Sequence, residues 1–174
     1  MRTFLIGPLP RLVLVGLCFL AVQRTALTEL TPFGVVLQIV LALAAAAGAG
    51  SGPERGAIAG FALGTMYDLG VGTPLGLTAL VYSLAGFTAG YALTLTPSPP
   101  WWLSSLFTGI GAAVGETAVP IGKTLIGQDG WVDRRLFTIV PVVAVAALLM
   151  SPALVPLGRW CMCVKPRKWK AMME

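Results

Sequence analysis

Long apolar runs alternate along the chain with short clusters of proline, glycine and charge. A helix needs about 20 apolar residues to cross the hydrocarbon core of a bilayer. On that measure the runs predict six spans, at about 12–30, 34–50, 53–70, 75–95, 101–122 and 136–158. Breakers separate them: Pro32, then Gly50-Ser51-Gly52-Pro53, then Gly70-Val71-Gly72-Thr73-Pro74. Next come Pro97-Ser98-Pro99-Pro100 with the interfacial pair Trp101 and Trp102. The last connection, Gln128 to Arg135, is the longest and most polar. The second run, with Ala44 to Ala47, is short and weakly hydrophobic, which predicts a helix enclosed by the others.

Composition agrees with this pattern. The chain has 174 residues, of which 56% are hydrophobic and only 11% charged, more apolar surface than a soluble domain of this size can hide. The expected class is an all-α membrane protein, a six-transmembrane-helix bundle forming one integral domain over residues 1–174. The first run follows Arg2 and Arg11 as a signal peptide would, but lacks a small-x-small cleavage site, so it is expected to stay as a span.

The net charge of +5 is distributed at segment flanks, where basic residues set topology and do not indicate nucleic acid. One side collects Arg2, Arg11, Arg55, Arg159, Lys165, Arg167, Lys168 and Lys170. The other has Arg24, Lys123, Arg134 and Arg135, and eight against four predicts both termini in the cytoplasm. The basic tail from Lys165 to Lys170, with Trp169 inside it, reads as an anchor on anionic lipid headgroups.

Candidate chemistry is sparse. The sequence contains no histidine, which removes histidine triads, HExxH zinc sites and histidine-ligated haem. Cys18, Cys161 and Cys163 are too few for a zinc site, and the last two are too close for an unstrained disulfide. Gly122-Lys123-Thr124 ends like a phosphate-binding loop, but Ala118 stands where its first glycine belongs. No catalytic residue, metal ligand or cofactor is expected, and the chain is not expected to be an enzyme.

Four-residue spacing lines up Gly56, Gly60, Gly64 and Asp68 on one helical stripe. Such glycines let a second helix approach to backbone contact. The fourth run has its own stripe, Gly86 and Gly90, with Tyr82 one step before; the fifth has Gly111 and Gly115, next to Glu116. Asp68 lies near the end of its run, beside Gly70, Gly72 and Pro74. It is read either as the organiser of a tight hairpin, accepting backbone N–H groups in the turn or capping the start of the following helix from Thr73, or as a partner contact. Glu116 lies deeper, with Lys123 seven residues on and on roughly the same face. Ionisable residues inside a span are functional candidates by default, so both are intramembrane-charge candidates.

The stretch RGAIAGFALGTMYDLGVGTPLGLTALVYSLAGFTAGY, Arg55 to Tyr91, resembles the MreD family of bacterial rod-shape-determining membrane proteins. The resemblance rests on the glycines leading to Asp68, on Pro74-Leu75-Gly76, and on Leu80, Gly86 and Gly90. It covers about a fifth of the chain and extends to neither the basic tail nor the Cys161–Cys163 pair. It implies a fold similar to the six-helix substrate-binding subunits of energy-coupling-factor vitamin transporters. It also implies a non-catalytic scaffold in the bacterial cytoplasmic membrane, regulating cell shape through peptidoglycan synthesis. The implied partners are MreC, the glycosyltransferase RodA with its penicillin-binding partner and, indirectly, the MreB filament, with membrane lipid around them. The alternative expectation is a substrate-binding membrane subunit of a small-molecule transporter, for which Glu116, Lys123, Tyr82 and Asp68 are the few polar candidates. A packing protein without a defined partner is a third.

Overall fold

The computed structural model describes residues 8–25, 38–125, 127 and 136–162. They form six long helices and one isolated turn, with no strand among the described residues. The helices are α1 (Pro8–Thr25), α2 (Ile39–Ser51), α3 (Pro53–Val71) and α4 (Leu77–Gly90), the last extended by the turn α5 (Ala92–Leu95). After Pro99-Pro100 follow α6 (Trp101–Leu125) and α7 (Leu136–Cys161). Three stretches are long and apolar enough to cross a membrane: Pro8–Thr25, Leu77–Leu95 and Leu136–Cys161. Helix α1 begins at Pro8, ahead of the expected residue 12. Parts of the first two expected spans (residues 26–30 and 34–37), Pro32, the 128–135 connection, Cys163 and the basic tail lie outside the described residues.

The molecule is built around its least bulky helix. Every residue of α2 from Ile39 to Gly50 is buried, and α1, α3, α4, α6 and α7 all pack against it. A helix that is apolar all round belongs inside a bundle, and alanine allows many neighbours to come close. A Cβ added to Gly158 of α7 would meet the backbone of Ala46 and Ala47. Gly111 and Gly115 of α6 lie against Ala45 and Leu41 of α2, and against Ala85 of α4.

The outside of the bundle is oily. Leu69, Leu75, Leu80, Leu95, Leu125, Phe137 and Leu149 are each at least 66% exposed. Water tolerates no such continuous apolar surface on a monomer, whereas lipid does. Proline is likewise accepted inside the helices, at Pro120 in α6 and at Pro141, Pro152 and Pro156 in α7. Helix α1 is tied to the end of α7 by the Arg11 guanidinium, 5.4 Å from the centroid of the Trp160 ring.

Candidate functional site

Helices α3 and α4 make the most intimate pair in the fold, and glycine is the reason. A Cβ on Gly56 would overlap the Gly86 carbonyl, and one on Gly60 would overlap the Tyr82 carbonyl. One on Gly64 would run into the backbone of Thr78 and Ala79, and one on Gly90 into Pro53. Each step of four along α3 is therefore met by a step of about four back along α4, in antiparallel register. Gly48 of α2 joins the first of these contacts, since its own Cβ would overlap Gly86. Three helices thus meet at Gly48, Gly56 and Gly86 with no side chain between them.

The next step of the stripe is Asp68, which is only 1% exposed. Its carboxylate closes the hairpin. Oδ1 accepts the Thr73 hydroxyl at 2.6 Å, and Oδ2 accepts the N–H of Gly76 at 2.9 Å and of Ala79 at 3.3 Å. Gly76 is the N-cap of α4, so a side chain of α3 supplies the acceptor that a capping residue normally provides. The negative charge also sits at the favourable end of the α4 dipole. Two glycines make the turn possible. Gly72 ends α3 at φ 75° and Gly76 starts α4 at φ 98°, backbone conformations costly for other residues. Pro74, half-buried between them, accepts the Leu77 N–H through its carbonyl at 3.2 Å.

The start of α2 is treated the same way. The Val40 N–H donates to Oε1 of the buried Gln23 in α1, at 3.1 Å. Gln38, just before α2, accepts the Tyr82 hydroxyl at 3.3 Å, and the Tyr82 ring lies 5.7 Å from that of Tyr67. These polar groups gather at one end of the bundle, where α1, α3 and α6 finish and α2 and α4 begin.

Glu116 of α6 faces inward at that end, 8% exposed, and its Oε2 has no hydrogen-bond partner. Lys123 lies on the exposed surface, and no ion pair joins it to Glu116 among the described residues. Seven residues on a helix keep the same face but separate the Cα atoms by about 10 Å along the axis. The two candidate charges are therefore apart: one enclosed, one at the rim. Asp68 reaches neither.

Among the described residues, no three Cys, Asp or Glu side chains gather as a metal site would require. Cys161 is buried and Cys18 exposed, on different helices. Several contacts had no local signal in the sequence: Gln23 with Val40, Gln38 with Tyr82, and the Ser151 hydroxyl donating to Ser105. Gly48 had one, because Ala44 and Gly48 repeat the small-residue spacing of the stripe. Comparison of the chain with known protein families, with curated proteins and with solved structures finds no match.

Proposed function

We propose that the chain is a six-span membrane scaffold of the MreD type, with both termini in the cytoplasm, in the bacterial cytoplasmic membrane. It binds MreC and helps couple the cytoskeletal filament to peptidoglycan synthesis, without catalysing a reaction itself. One observation carries the reading. The residues that bear the resemblance, Arg55 to Tyr91, are those that build the glycine-packed α3–α4 pair and its Asp68 closure. A carboxylate fully engaged in closing a hairpin suits a rigid frame that presents a surface. On this reading Asp68, being enclosed, serves the partner through the hairpin's shape and not by touching it.

The test is co-purification of the full chain with MreC from detergent-solubilised membranes, for the wild type and for Asp68→Ala, with thermal unfolding followed in parallel. A stable wild-type complex, lost in the variant together with a lower melting temperature, is the expected result. A variant that melts lower yet still holds MreC would place the interface away from the hairpin. Failure of the wild type to hold MreC would overturn the scaffold reading.

A second reading, a substrate-binding subunit of a small-molecule transporter, is favoured by one observation: the buried Glu116 oxygen without a partner. Enclosed polar atoms without partners are uncommon in folded chains, and a ligand is one way to satisfy them. Mass spectrometry of the purified chain separates the readings, because a transporter subunit retains a small molecule where a scaffold retains lipid alone.

A further inference from the structure

The opposite end of the bundle, where α6 begins and α7 finishes, holds a cleft of about 180 Å³. That is room for several waters or a small polar group. Its lining combines Ser104, Ser105, Ser151 and Arg159 with Trp101 and Pro156. This region lies outside the stretch that carries the family resemblance.

Two of its groups, one buried hydroxyl and one half-buried cation, make no hydrogen bond or ion pair through their side chains among the described residues. The hydroxyls of this part of α6 otherwise donate to the helix itself: Ser105 to the Trp101 carbonyl at 2.9 Å, and Thr108 to the Ser104 carbonyl at 2.7 Å. Ser151 in turn donates to Ser105, so that pair is complete. Ser104 is the exception. Its residue is 3% exposed, it lines the cleft, and its Oγ has no hydrogen-bond partner. A buried hydroxyl left in this state costs about 1–3 kcal/mol, so it marks a place where an acceptor belongs.

Arg159 is the second group. It lies in the last turn of α7 and is half-buried, and no hydrogen bond or ion pair to it forms among the described residues. Its stem passes over the end of α2 at Gly50, where a Cβ would come within 2.8 Å of Arg159 Cγ. The missing side chain at Gly50 thus gives the guanidinium stem its course beside the cleft. A planar five-donor cation and an unpartnered buried hydroxyl lining one cleft are the donor set of an oxyanion site, and phosphate oxygens match arginine's geometry well.

We propose that this cleft binds a phosphate oxyanion, with Arg159 supplying the charge and Ser104 the enclosed donor. The phosphodiester of an anionic lipid headgroup and free phosphate share this chemistry. The surroundings favour the lipid. Trp101, 75% exposed, stands at the mouth, and the exposed apolar surfaces of α6 and α7 run away from it. Tryptophan at this position suits the headgroup level of a bilayer. The preference for lipid rests on the membrane reading above, whereas the oxyanion site itself does not depend on any MreC partnership.

The experiment is native mass spectrometry of the full chain in detergent, titrated with phosphatidylglycerol or phosphatidylcholine, with inorganic phosphate as competitor. Wild type is compared with Arg159→Gln, Ser104→Ala and Arg55→Gln, the last an exposed arginine at the start of α3 on the same side. Phosphatidylglycerol is expected to bind better than phosphatidylcholine and to be displaced by phosphate. Arg159→Gln is expected to weaken it about tenfold and Ser104→Ala about threefold, as loss of a charge-assisted and a neutral hydrogen bond implies. Arg55→Gln is expected to leave it unchanged. Phosphate binding that depends on Arg159 but shows no lipid preference would keep the oxyanion site and replace the lipid as its source. Equal weakening by Arg55→Gln, or no effect of Ser104→Ala, would overturn the site in favour of general surface charge. Ser104→Ala decides the matter even if Arg159→Gln does not fold.

Discussion

The Ala79 N–H donates to the Asp68 carboxylate across the gap between two helices, 3.3 Å from nitrogen to oxygen. With the Gly76 N–H on the same oxygen and the Thr73 hydroxyl on the other, one side chain of α3 fixes where α4 starts. Asp68→Ala is therefore expected to destabilise the chain by about 2 kcal/mol or more, because two backbone donors at an enclosed helix start lose their acceptor. Asp68→Asn keeps one oxygen for those donors and is expected to lose less. Thermal unfolding in detergent ranks the three proteins, and an Ala variant as stable as the wild type would remove Asp68 from this role.

Gly60→Ala is expected to be among the most damaging single-atom additions in the fold. Its Cβ meets the Tyr82 backbone, which cannot swing aside as a side chain can. A loss of about 3 kcal/mol or a failure to assemble is expected. Gly70→Ala is the matched control, since only the Leu20 side chain lies near its added Cβ. Size-exclusion profiles and melting curves of the two variants check the contrast.

Glu116→Gln is expected to leave the fold at least as stable as the wild type. The carboxylate is enclosed, one oxygen is unpaired, and no ion pair forms to it among the described residues, Lys123 acting on it only from a distance. A neutral amide of the same shape lowers the cost of burial. If the variant gains stability and loses function in a cell-shape complementation assay, Glu116 is held for function against its own contribution to folding.

Trp160→Leu is expected to loosen the start of α1, which the Arg11–Trp160 stacking holds to the end of α7. A loss of about 1 kcal/mol corresponds to one partly exposed cation–π contact. Limited proteolysis near the start of α1 should speed up in the variant while cleavage elsewhere does not.

The sequence was most legible where one helix carried the whole message. The stripe from Gly56 to Asp68 needs only four-residue spacing to be seen, and α2 betrays its central position by having no polar face. What spacing cannot give is the element that fills the other side of a contact. Gly48 meets Gly86, and Ser105 meets Ser151, across sequence separations that no local pattern encodes. The same limit applies to Glu116: a span ending near residue 122 already set it deeper than Lys123, but could not show that one of its oxygens would be enclosed without a partner. Arg159 read only as one topological charge among eight, because the unpartnered Ser104 that shares its cleft comes from another helix.

The central helix has a consequence for how the chain is made. Helix α2 has 13 residues, or about 20 Å of rise, well short of a hydrocarbon core of about 30 Å. The segment is apolar throughout but short, so it is expected not to hold a transmembrane position alone during synthesis. Its residence is expected to depend on helices that emerge later, above all the α3–α4 hairpin that meets it at Gly48. Biogenesis is therefore expected to run backwards at this point, with the segment translated second becoming secure only after the third and fourth have closed around it. A ribosome-stalled chain ending just past α2 should leave that segment extractable, and one ending past α4 should not.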